Sequence, residues 1–151
     1  MIRHTGVAKR QDAISREAFR HVERELYRYH ETKRDIERIE RDIILRGMAV
    51  DLSAQGSQVQ WSAEWSDMTG TRATALAEYH KLKEMRRIVE AIEDVLALLD
   101  DERRALVAAY YWDHPAETWD FIADLLKYDV RTLQRWRRAI VEAIAERLGW
   151  R

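Results

Sequence analysis

The chain has 151 residues, 26 Lys and Arg against 27 Asp and Glu, and no cysteine. That length suits one compact domain, or a small domain with a long helical element. The balanced charge excludes a uniformly basic nucleic-acid binder, so any electrostatic function must come from local clustering. The missing cysteines exclude disulfides, thiolate metal sites and cysteine nucleophiles and fit a reducing cytoplasm, and neither an apolar run of about 20 residues nor a signal-peptide core predicts a membrane destination.

One proline and five glycines point to an all-α chain. Residues 1–11 are polar, patternless and expected to fray. From Asp12 to about Arg46 the sequence reads as one helix, with Phe19, Val22, Leu26, Tyr29, Ile36 and Ile43 spaced by three, four and seven. This is a narrow heptad seam on a rod of about 50 Å. Gly47 is its expected stop, and residues 47–70 lose periodicity and are read as a long loop. A second helix is predicted from about Thr71 to Leu99, with Leu82, Met85, Val89, Ile92, Leu96 and Leu99 alternating three and four apart. Two narrow seams each need a partner. An antiparallel hairpin over residues 1–99 is the economical solution, and a parallel homodimeric coiled coil is the alternative.

A small C-terminal domain is predicted over residues 100–151. Asp100 and Asp101 suit the N-terminus of a helix of about twelve residues carrying Leu106, Val107, Tyr110 and Tyr111. His114–Pro115 breaks it. Thr118 is the expected N-cap of a short helix through Leu126. Lys127, Tyr128 and Asp129 form a turn, Asp129 caps a final helix beginning at Val130, and Gly149 ends it. Three helices joined in this way have the layout of a helix-turn-helix unit.

The last helix carries the functional signal. At 100° per residue, Leu133, Trp136, Ile140, Ile144 and Leu148 gather on one stripe, while Arg131, Arg135 and Arg138 lie near the opposite side with Gln134 on the shoulder. Between Lys127 and Arg138 there are five basic residues and one acid, Asp129. Arg bonds guanine bidentately and Gln does the same with adenine, so these residue types suit major-groove reading from an anchored helix. The bland alternative is the solvated face of an amphipathic helix. Capping, the turn and the preceding helices favour DNA. The expected DNA-binding residues are Lys127, Val130, Arg131, Thr132, Gln134, Arg135, Arg137 and Arg138, with Arg131 and Gln134 reading bases and Lys127, Arg135, Arg137 and Arg138 holding phosphates.

The run TWDFIADLLKYDVRTLQRWRRAIVEAIAERLGW, residues 118–150, resembles the C-terminal end of RinA/ArpU-type phage transcriptional regulators. More distantly, it is similar to the DNA-binding fourth region of sigma-70 factors. The likeness extends through Glu31–Lys33 and through MRRIVEAIEDVLALLDDERRALVAAYYW, residues 85–112. Asp120, Phe121, Asp129 and Val130 depart from what that family usually carries. The resemblance implies a phage or prophage regulator that binds double-stranded promoter DNA, activates late genes and touches RNA polymerase in the cytoplasm of a bacterial host.

Other features weigh less. Trp119 and Trp136 read as packing residues. Trp61 and Trp65 read as a patch folded onto the rods, with a partner contact as the alternative. The histidines at 4, 21, 30, 80 and 114 show no ligand spacing; His30 and His80 are a pair that a hairpin could bring together. No phosphate loop or nucleophile elbow is present, and the acids alternate with arginine as surface pairs, so no enzyme, metal or cofactor is expected. The narrow seams and the extra apolar pair Phe121 and Leu125 predict a homo-oligomer. Two other functions fit the same elements: a DNA-packaging component resembling a small terminase subunit, and a helical protein-interaction adaptor.

Overall fold

The computed structural model describes residues 13–54 and 65–151. Among the described residues the fold is all-α: α1 Arg16–Ala54, α2 Trp65–Leu98, α3 Asp101–Val107, a π-helical turn Ala108–Asp113, α4 Trp119–Leu126 and α5 Val130–Leu148. Residues 1–11, Trp61 and the side chain of Trp65 lie outside the described residues.

The two long helices form the antiparallel hairpin within one chain. Tyr29 and Lys33 of α1 each hydrogen-bond Glu93 of α2 at 2.8 Å. Further along, Glu40 meets Arg86 and Arg46 meets Glu78, so positions on α2 fall as those on α1 rise. Between the helices the apolar seams of Val22, Leu26 and Tyr29 and of Leu82, Val89 and Ile92 are buried. Ile43, read as a seam residue, is exposed instead.

Both helices outrun the predicted limits. α1 continues through Gly47 to Ala54 and α2 begins at Trp65, so most of the expected loop over residues 47–70 is helical. A glycine inside a helix costs only about 1 kcal/mol against alanine, while each added residue gains a hydrogen bond once the helix exists. Glycine ends a helix only where the chain takes up the left-handed turn. That happens at Gly149 (φ 70°), where Trp150 N–H bonds the Ala145 carbonyl at 2.9 Å.

α5 packs differently along its two halves. Its C-terminal half brings Ile140, Val141, Ile144 and Leu148 into one core with Val22 and Leu26 of α1 and Ile88, Ile92 and Val95 of α2. Packing is therefore continuous across residues 99 and 100, where the sequence reading sets its domain boundary. Each such buried aliphatic side chain contributes about 1.5–3 kcal/mol relative to exposure. The end of the chain is tied down as well: His21 stacks on Trp150 with centroids 4.0 Å apart, and Arg147 pairs with Asp94 at 2.8 Å. The N-terminal half of α5 belongs to a second, smaller core of Leu106, Ala109, Ile122 and Leu133, flanked by Trp119, Leu126 and Trp136.

The π-turn joins these two cores. His114 N–H reaches back five residues to the Ala109 carbonyl at 2.9 Å. A wider turn reduces the angle between successive side chains, so Tyr111 and Trp112 both face α1. Tyr111 donates to Glu23 at 2.8 Å, and Trp112 donates to the Leu26 carbonyl at 2.9 Å while stacking on Tyr29.

Candidate nucleic-acid interface

Three local devices set the direction of α5. Thr118 caps α4 by accepting from Phe121 N–H, and Asp129 caps α5 by accepting from Thr132 N–H at 3.0 Å. Between them Lys127 takes the left-handed conformation (φ 62°) that closes α4. Nothing in the sequence marks that role, because glycine is the usual residue there. The Thr132 hydroxyl also donates to Asp129, at 2.7 Å. These bonds, with the Arg135 charge nearby, hold the Asp129 carboxyl below its ordinary range; the Thr132 hydroxyl contributes most.

The first half of α5 stands on Leu133 and Trp136. Leu133 is fully buried, and Trp136 lies between Tyr128, 4.8 Å away, and the Arg103 guanidinium, 4.6 Å from its ring centre. Trp119 stacks on Tyr110 at 4.4 Å. Both tryptophans are packing residues, as expected from the sequence.

Opposite this root, Lys127, Arg131, Gln134, Arg135 and Arg138 are all exposed. Lys127 pairs loosely with Asp124 at 3.5 Å, and Arg138 pairs with Glu142 at 2.9 Å. Both pairs sit in solvent, where such contacts are worth about 0–1 kcal/mol and yield readily to a phosphate. Arg131 and Gln134 make no hydrogen bond or ion pair among the described residues. Val130 and Thr132 are half-buried beside the cap, which makes them positioning residues. The outer face of α4 and the residue before its cap are acidic, with Asp120, Asp124 and Glu117 exposed.

Arg137 does not join this face. Its guanidinium is bound to Glu23 of α1 at 2.6 Å, and the same carboxylate oxygen accepts from Tyr111. Phe19, Tyr110 and Trp119 surround it with ring centres 5.2–5.6 Å away. The predicted phosphate ligand is therefore a joint between the hairpin and the helix-turn-helix unit. Burial beside Glu23 pushes the Tyr111 hydroxyl far above its usual range. Burial, with the Tyr110 hydrogen bond second, moves Tyr27 up to about 12. Sequence reasoning missed Glu23 and Tyr111, since no periodicity links a residue on α1 with partners 88 and 114 positions away.

His30 packs on Trp112 and His80 lies beside Tyr79. The hairpin register sets His30 near Glu93 and His80 near Arg46, so the two do not meet. Among the described residues no group of three or more His, Cys, Asp or Glu is placed to hold a metal ion, and no helix is long and apolar enough to cross a membrane.

No curated protein and no solved structure matches the chain. Residues 23–146 match a family described as "Protein of unknown function (DUF722)". That span runs from Glu23, the partner of Arg137, to the last turns of α5, and over it the chain belongs to this family.

Proposed function

We propose that the protein is a double-stranded DNA-binding transcriptional regulator of a phage or prophage. It acts as an activator of late genes in the bacterial cytoplasm, with RNA polymerase as a second partner, and works by binding rather than catalysis. The observation that carries this reading is the Arg131, Gln134, Arg135 and Arg138 face. It is exposed, it lies just after a capped N-terminus, and the helix that bears it is rooted in two cores. A reader must present guanidinium and amide groups without losing them to internal partners, and Arg131 and Gln134 meet that condition. The resemblance to RinA/ArpU-type regulators and to the fourth region of sigma-70 factors supports the promoter and polymerase parts.

In this reading Arg131 and Gln134, nearest the N-terminus of α5, contact base edges. Lys127, Arg135 and Arg138 hold phosphates, and Asp129, Thr132 and Val130 fix the start of the helix. Three cations holding phosphates give a log–log salt slope of about −2.7. The acids of α4 orient the complex, because like charge keeps that face away from the backbone. The test is selection of bound duplexes from a random pool, followed by titration over a salt series. A consensus sequence and a slope near that value support the reading. Equal, weak binding to selected and scrambled duplexes refutes it.

A further inference from the structure

The hairpin is covered unevenly. α5 and the π-turn pack on its proximal half, while an open groove of about 290 Å³ runs between α1 and α2, lined by Lys33, Glu37, Arg86, Glu90 and Glu93 among others. Heptad steps from these residues lead toward the hairpin tip. Seven residues beyond Glu37 is Ile44, and seven before Arg86 is Tyr79. Two such steps back from Glu90 pass Lys83 and reach Leu76. Residues seven apart share a helix face, so Ile44, Tyr79 and Leu76 prolong the groove as an apolar strip. They are 61%, 55% and 58% exposed. Isolated exposed aliphatics need no explanation, but three large ones on one face of a two-helix layer indicate an uncovered interface.

We infer that this open face of the hairpin is the contact surface for a second copy of the chain, the two hairpins forming a four-helix layer. Two features select that occupant. The first is charge. A two-fold interface sets the same surface against itself, and this face is nearly balanced, with Lys33, Lys83 and Arg86 against Glu37, Glu40, Glu90 and Glu93. The Phe121 and Leu125 pair fails the same test, because Glu117, Asp120 and Asp124 around it would meet their own images. The second is area. Residues 76–93 of α2 and their partners on α1 span about 27 Å by 20 Å. Roughened by side chains, that approaches the ~800 Å² per partner of a stable dimer. A nucleic acid or anionic surface would need a cationic excess that this face lacks. The inference stands on the hairpin alone and does not depend on the DNA reading.

The experiment is sedimentation velocity of the full chain from about 1 to 100 μM. The parent is expected at twice its chain mass. Ile44→Glu and Tyr79→Glu should each raise the dissociation constant at least ~10-fold with helicity unchanged. Leu98→Glu and Phe121→Glu should leave it as it is. Because the chain has no cysteine, Tyr79→Cys offers a second readout: a flexible bis-maleimide long enough to span the face should yield covalent dimer, and Leu98→Cys should not. A parent that is monomeric throughout overturns the inference. So do dimers that tolerate both glutamates, or Tyr79→Cys protein that cross-links no better than Leu98→Cys.

Discussion

Arg137 and Arg138 are neighbours in sequence, and the structure assigns them opposite fates. The Arg137 side chain is 22% exposed and its partner Glu23 is 16% exposed, so Arg137→Ala leaves a mostly buried carboxylate without its cation, the Tyr111 hydroxyl still donating to it. Breaking a fully buried pair costs about 3–5 kcal/mol; the remaining exposure lowers this, and the lost cation–π contacts restore part, leaving about 2–4 kcal/mol. For a chain of this size that is a fall of roughly 5–15 °C in midpoint. Arg137→Lys should recover only part of it, because an ammonium cannot present the planar fork that Glu23 and the rings engage. Arg138→Ala should change stability by less than about 0.5 kcal/mol, since its pair with Glu142 is in solvent. It should instead weaken binding to every duplex and make the salt slope shallower by about 0.9. Urea denaturation followed by circular dichroism, with duplex titration at several salt concentrations, separates the two effects. If Arg137→Ala keeps its midpoint and loses salt dependence, the joint has been misassigned.

Three further perturbations probe the supports of α5. Lys127→Gly should stabilise the fold by about 0.5–1 kcal/mol by relieving the left-handed conformation, yet weaken duplex binding; chemical denaturation and titration report the two signs. Because the folded Asp129 carboxyl is held below its unfolded value, its contribution is present above about pH 4 and is lost as pH falls through the lowered value. Asp129→Asn keeps a cap, should remove that component of acid unfolding, and should tighten duplex binding by deleting a charge near phosphate. Ile144→Ala, at a fully buried position between α5 and the hairpin, should cost about 2–5 kcal/mol in urea denaturation.

The elements fixed by local chemistry were legible in the sequence. Thr118, Asp129 and Gly149 cap as expected, since each acts on backbone groups within a few residues. The stripe Leu133, Trp136, Ile140, Ile144 and Leu148 was legible as apolar, but its division was not. The first two residues root the helix-turn-helix unit, while the rest dock on the hairpin. Periodicity tells which side of a helix is buried and is silent on what buries it. Arg137 illustrates the same limit: at 100° per residue it falls within the apolar stripe, between Ile144 and Leu148, which marks it as facing inward, but only the folded chain brings Glu23 to it. Gly47 misled for a different reason. The residue type permits a stop, but propagation decides whether one occurs.

In the proposed function the N-terminal half of α5 reads DNA. Its most direct test is titration of Arg131→Ala and Gln134→Ala proteins against a selected duplex, its single-base variants and a scrambled control, with folding checked by circular dichroism. Both side chains are exposed and without partners among the described residues, so both variants should stay folded. Each should lose about 1–3 kcal/mol at the selected site and relax preference at one base pair, while binding the scrambled duplex almost as the parent does. Folded variants that bind the selected duplex as tightly as the parent would contradict the account.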